Sequence, residues 1–235
     1  MPKAFDTWQV FPHRPLEKLE SNLWRVEGDL PNGNGNRVMT IAKMSDGGLM
    51  IHNGIALEEE QMREIEGFGT PALLVVPNGF HRLDAKVFKD RYPSLRVVCP
   101  AGARKKVEQV VKVDATYDDA PADDTVRLIH LDGTKRSEGV LEVKSNGKTT
   151  VVFNDAVNNL PKMGGVFGFL LAPTGIPSVP RLARWMMIKE KAAFREHLEK
   201  LAATPNLARL IVSHGRVMTE KPGETLRTVA SALNG

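Results

Sequence analysis

The run Leu73-Leu74-Val75-Val76, closed by Pro77, constrains this chain more than any other stretch. It reads as a short, fully apolar strand with helical patterns on either side. Leu57 to Glu66 carries Glu58, Glu59 and Glu60 near its start, where acidic side chains complement the helix dipole, and Ala85 to Arg91 is helical again. Leu95 to Cys99 then returns to a strand pattern. Strand, helix, strand is the signature of a right-handed crossover, so at least part of the chain folds as an α/β unit.

Upstream, Leu23–Glu27, Val38–Ala42 and Gly48–His52 predict an antiparallel meander. Its first two strands flank the turn-rich segment 31–36 (Pro-Asn-Gly-Asn-Gly-Asn). A short basic helix is expected over Ala103–Val111. Downstream, strands are expected over Val126–Leu131, Gly139–Val143 and Thr149–Phe153, the last two joined by a hairpin at Asn146-Gly147. One long amphipathic helix over Arg181–Ala203, with Trp185, Ile188, Ala192, Leu198 and Leu201 at helical spacing, precedes a strand at Ala208–Val212 and a closing helix over Pro222–Leu233. No repeat of fixed period occurs. Two β sets, each with helices, predict an α/β (α+β) four-layer αββα sandwich of two mixed β-sheets flanked by helices.

At 235 residues and 42% hydrophobic content the chain suits a single domain, 1–235, with the apolar loop and long helix inserted at about 160–203. The 32 basic and 28 acidic residues are scattered, and no aromatic platform accompanies Arg104-Lys105-Lys106, so no nucleic-acid partner is expected. Cys99 is the only cysteine, which excludes an intramolecular disulfide or a cysteine-rich zinc cage and points to a reducing compartment. It lies in an apolar run with no flanking base, so it is expected in the core. No apolar run approaches the roughly 20 residues needed to span a bilayer, and the first residues hold no apolar h-region. A cytoplasmic location with no membrane partner is the resulting expectation.

Four landmarks fall at the ends of predicted strands: Gly48-Leu49-Met50-Ile51-His52-Asn53-Gly54, the loop Pro77 to Asp84, Val152-Phe153-Asn154-Asp155, and Ile211-Val212-Ser213-His214-Gly215. In this order they resemble the metallo-β-lactamase superfamily, whose corresponding motifs read L-I-D-x-G, T-H-x-H-x-D-H, F-x-G-D and G-H-G. The resemblance covers about Leu23 to Leu233 and implies that Asp155 stands at a metal-bridging position and His214 at a ligand of the second metal.

The departures are as informative. One register of the loop sets Asn78, Phe80, Arg82 and Leu83 against the motif's His, His, Asp and His; the register shifted by one sets Gly79, His81, Leu83 and Asp84 there. Both registers stay open. Each keeps at most one ligand in kind, with Asp84 standing for a His in the second. His52 replaces the Asp of L-I-D-x-G, and Thr134, Lys135 and Arg136 stand where an intermediate His is expected. Phe80 and Leu83 offer no lone pair, and Arg82, Lys135 or Arg136 would add cationic charge.

The first reading is therefore a protein of this fold whose dinuclear site is largely lost and which binds a small-molecule ligand or a partner in the remnant cleft, with no cofactor required. The second is a single-metal hydrolase of the ester, lactone or thioester class, holding one zinc or iron ion on His81, Asp155 and His214, the candidate catalytic residues. Asn78, His52 and Asp84 are expected to line the cleft. The third is a homodimer formed through 163–203, where Gly164, Gly165 and Gly168 are interspersed with Val166, Phe167, Phe169 and Leu170 as a mobile apolar flap, a subunit contact or, equally, a loop buried under the long helix. His13, His130 and His197 have no supporting context and read as structural or solvated. Whether the chain is an enzyme stays open between these readings.

Overall fold

The structure is a computed structural model that describes residues 4–31, 33 and 35–233. Asn32 and Asn34 of the expected turn, and the first three residues of the N-terminal stretch, lie outside these. The chain divides into two compact units, Met1–Leu128 and Ile129–Gly235.

In the first unit the strands β1 (Glu17–Glu20), β2 (Leu23–Asp29), β3 (Asn36–Lys43) and β4 (Gly48–His52) pair antiparallel in sequence order. This is the expected meander with one further edge strand, β1. Helix α1 (Glu59–Phe68) then carries the chain to β5 (Thr70–Val75), α2 (Ala85–Arg91) to β6 (Arg96–Cys99), and a 3₁₀ turn (Ala101–Ala103) with α3 (Arg104–Val107) to β7 (Ala115–Thr116). From β4 onward the pairing is parallel. Pairing changes sense where the helices begin, because parallel neighbours need a crossover long enough to return to the same sheet edge. The ends of β4 and β5 consequently emerge at one edge, with His52 opposite Val75. Beneath them Ile41, Ile51, Leu74, Val97 and the fully buried Phe88 form the core. Phe88 lies 5.1 Å from the Trp8 ring, and Trp24 stacks on Phe68 at 3.9 Å.

The chain enters the second unit through β8 (Val126–His130). The second sheet runs β11-β10-β9-β8, with β9 (Gly139–Ser145), β10 (Lys148–Phe153) and β11 (Leu207–Val212). Asn146 and Gly147, at φ of 51° and 76°, make the two-residue turn whose twist matches the antiparallel β9–β10 hairpin. β10 pairs β11 parallel, after a crossover built from α4 (Gly165–Leu170), α5 (Arg181–Met186) and α6 (Lys191–Ala202). Helix α7 (Pro222–Ser231) closes the unit. Phe153, Phe194, Leu198, Leu210, Val212 and Leu226 share its core. Both sheets are mixed and both units carry helices, as the αββα reading requires.

The single long helix expected over Arg181–Ala203 is in fact two. Between them the amides of Lys189 and Glu190 donate to the Gly133 carbonyl, at 2.7 and 3.1 Å, instead of to carbonyls one turn back. That partner is more than fifty positions away in sequence and leaves no trace in the local pattern. Ile188, Leu198 and Leu201 are buried, whereas Trp185 and Ala192 face solvent. The segment read as a flap or loop contains α4, with Val166, Phe167 and Phe169 exposed.

Candidate functional site

In the first unit, Pro77 ends the β5 ladder because it has no amide to donate. Asn78, fully enclosed, then accepts the amides of Phe80 and His81 on its Oδ1 at 2.7 and 3.1 Å and folds the loop back on itself. Two further ties hold the loop. The Lys106 ammonium sits 4.6 Å from the Phe80 ring, and Arg82 donates to the Lys106 carbonyl and, at 2.8 Å, to Gln109 Oε1. The Arg82 guanidinium is thus directed at the α3 region, and the expected cationic penalty from this residue falls away.

His81 is held from the end of β4. Asn53 Nδ2 donates to the Val38 carbonyl at 2.8 Å, which orients the Asn53 amide and leaves its Oδ1 toward His81 Nδ1, 3.0 Å away. An amide oxygen only accepts, so Nδ1 carries the proton and donates, and Nε2 carries the lone pair. This is the arrangement that presets an imidazole as a metal ligand. Asn53 was not among the sequence candidates. Its signal was the turn after Gly48–His52, where it sits at φ 59°, tolerable to Asn.

The three residues expected to line a cleft are all buried. Asn78 staples the loop. Asp84 accepts from Arg37, itself enclosed, and from the Ala56 amide at 3.2 Å. Burial raises its carboxyl above the usual range, with Arg37 acting against that rise. Asp84, which the second register sets in place of a His, is thus engaged by Arg37 and by the Ala56 amide.

His52 is fully enclosed, and neither ring nitrogen has a hydrogen-bond partner among the described residues. Burial, with a smaller contribution from His81, depresses its pKa to about 3. An unfolded His titrates near 6.5, so between about pH 3 and 6.5 the unfolded chain holds a proton that the folded chain does not. Stability attributable to this residue therefore rises with pH across that window. It falls by up to about 1.4 kcal/mol for each pH unit of acidification below 6.5. Urea unfolding at pH 7, 6 and 5 is expected to show a shallower acid loss in His52→Leu than in wild type; identical slopes would refute the assignment.

In the second unit, Asp155 and His214 follow β10 and β11. These strands run parallel with Phe153 opposite Val212, so residues two positions beyond each end fall side by side. His214 Nε2 lies 3.3 Å from Asp155 Oδ1, and both side chains are about four-fifths buried. The Asp155 amide donates to Glu138 Oε1 at 2.9 Å. Glu138 is completely buried ahead of β9, and no local motif marks it in the sequence, where Thr134, Lys135 and Arg136 stand just upstream. Lys135 and Arg136 lie exposed in a turn. Gly215 is required after His214: its φ is 107°, and a Cβ there would sit 2.1 Å from the Asn159 carbonyl oxygen.

Three further histidines and the cysteine remain. His197 Nδ1 meets Asp132 at 2.9 Å on α6, His13 bridges Gly28, and His130 lies within β8. Cys99 is fully buried, and burial pushes its thiol up to about 12, which leaves it protonated and unfit as a nucleophile.

No protein-family description matches the chain, and no curated protein matches it by sequence. Solved structures do. The chain is similar to the DIM-1 metallo-β-lactamase at 12% identity and TM-score 0.65, over 95% of this chain and 99% of that one. It is similar to the metallo-β-lactamase FIM-1 from Pseudomonas aeruginosa, in a mono-zinc form, at 11% identity and TM-score 0.61, over 95% and 96%. A metallo-β-lactamase from Pontibacter korlensis aligns at 11% identity and TM-score 0.61, over 92% and 98%. Likeness of this extent at such low identity is a likeness of fold.

Proposed function

We propose that this chain, which has the metallo-β-lactamase fold, is a hydrolase that holds one metal ion, not two, with His81, Asp155 and His214 as its ligands. The reading is carried by the Asp155–His214 pair, set 3.3 Å apart at the ends of neighbouring parallel strands. His81 is the third ligand because Asn53 presets its Nε2 as the donor atom. The three residues together offer two imidazole nitrogens and one carboxylate oxygen. That set suits zinc or ferrous iron, and three protein ligands are enough for a catalytic site with an open position. A solved relative in fold, FIM-1, is described in a mono-zinc form.

Among the described residues, the loop 77–84 offers a second ion little beyond His81. Phe80 and Leu83 have no lone pair to give, Arg82 is tied to Lys106 and Gln109, and Asp84 is tied to Arg37. The bound ion would supply Lewis acidity and a water acidified to a pKa of about 7. The chain's own contribution is to orient. Asn53 fixes the His81 tautomer, Glu138 anchors the Asp155 backbone, and Gly215 lets the strand turn immediately behind His214. The substrates that suit such a site are esters, lactones or thioesters, whose acyl carbon needs polarising more than it needs a covalent nucleophile.

A panel of ester, lactone and thioester substrates tests this. Turnover is expected with one equivalent of zinc or ferrous iron and is expected to vanish on chelation. Metal uptake without turnover of any of them would leave the non-catalytic ligand-binding reading instead. The orienting role of Asn53 has its own test in Asn53→Gly, a change that keeps the backbone conformation accessible. It is expected to weaken zinc binding about 10–100-fold in competition with a chromophoric chelator. Unchanged affinity would remove Asn53 from the account.

A further inference from the structure

Every large hydrophobic side chain that is strongly exposed among the described residues lies within residues 166–186. Val166, Phe167, Phe169, Ile176, Trp185 and Met186 are each between 47% and 75% exposed. Scattered exposed apolar residues need no explanation; concentration in one short stretch of a chain does.

The stretch is braced by hydrogen bonds along its length. At its neck Asn158 and Ser178 exchange backbone hydrogen bonds, both at 2.9 Å. Above the neck the Gly175 amide reaches the Leu160 carbonyl at 2.9 Å, and the Met163 amide reaches Thr174 Oγ1 at 3.1 Å. Arg181 ties α5 to α4: it donates to the Phe169 carbonyl at 2.8 Å, its own amide donates to the Ala172 carbonyl at 2.8 Å, and its guanidinium lies 4.1 Å from the Phe169 ring. The result is a protrusion that holds Phe167, Phe169 and Trp185 toward solvent.

Charge selects what covers it. Between Asp155 and Glu190 the sequence has no acidic residue, while Lys162, Arg181, Arg184 and Lys189 are all basic. A second copy of this chain docking patch to patch would bring cation against cation, because a two-fold interface is self-complementary. An anionic bilayer surface answers both features. Its headgroups attract the basic residues, and its upper acyl region takes up Phe, Val, Ile and Met, with Trp at the boundary. Such docking needs no span, and among the described residues no helix is long and apolar enough to cross a membrane.

We propose that the α4–α5 protrusion seats the protein peripherally on an anionic phospholipid surface. Co-sedimentation of the full chain with phosphatidylglycerol–phosphatidylcholine vesicles is expected to retain it, and pure phosphatidylcholine vesicles are expected to retain it at least about tenfold less. Trp185 provides a local reporter. Trp24 is stacked and buried and Trp8 is bonded to the Leu57 carbonyl, so a fluorescence blue shift on vesicle addition and quenching by brominated lipid report the protrusion. The triple variant Val166→Ser/Phe167→Ser/Trp185→Ser, altered only at exposed positions and leaving the Phe169–Arg181 contact in place, is expected to keep its unfolding midpoint and lose vesicle binding by about tenfold or more. The proposal is overturned by equal retention of the variant and wild type, by equal retention on neutral and anionic vesicles, or by no retention at all. It is overturned equally by light scattering that shows a wild-type dimer, dissolved in the triple variant, with no vesicle binding. None of these readouts depends on the metal.

Discussion

His214→Ala is expected to lose metal binding by at least about 100-fold, well beyond the 10–100-fold typical when only a residue behind a ligand is removed. His214 gives one of three donors, and two donors cannot hold an ion against water and buffer. The loss should be specific. The side chain is 20% exposed, it meets the Asp155 carboxylate of the same site, and Gly215, which shapes the turn, is untouched. The metal-free variant should therefore unfold at a urea midpoint close to that of metal-free wild type. Zinc titration against a chromophoric chelator reads the first effect and urea unfolding the second. Retained uptake in a folded variant would remove His214 from the site.

The second large effect lies in the first unit and has the opposite character. Asp84→Ala is expected to cost about 3–5 kcal/mol, because it leaves the Arg37 guanidinium enclosed without its counter-charge. Domains of this kind are stable by about 5–15 kcal/mol in all, so the change removes a large share of the total and lowers the urea midpoint markedly. The paired change Arg37→Met/Asp84→Leu removes both charges and is expected to recover most of the loss. Equilibrium urea unfolding of the three metal-free proteins measures this. A cost below about 1 kcal/mol for Asp84→Ala would mean that the Arg37 pair is not what holds Asp84. The contrast with His214 separates the two acidic and basic residues that look alike in sequence: one change empties the site, the other breaks the fold.

Much of the fold can be read locally. Helix α2 begins and ends where its pattern does, β4 likewise, and Asn146-Gly147 makes the hairpin it signals. Asp155 and His214 are singled out in the sequence by the resemblance of their motifs, each at the end of an apolar strand. What escapes the sequence is nonlocal. The break between α5 and α6 comes from the Gly133 carbonyl, and the edge strands β1 and β7 are too short or too charged to stand out. The loop 77–84 looks alike in two registers because its meaning depends on partners elsewhere. Asp84 finds Arg37 at 47 positions' separation, and His81 finds Asn53 at 28. Glu138 is invisible for the same reason, since only the fold brings the Asp155 amide to it.

The number of metal ions bound per chain tests the account most directly. Wild-type protein, stripped by chelator, reloaded with excess zinc or ferrous iron and freed of unbound ion, is expected to carry about one equivalent by elemental analysis, as its set of three donors allows. Two equivalents would mean a dinuclear centre and contradict the single-ion site. None would leave His81, Asp155 and His214 without the role proposed for them.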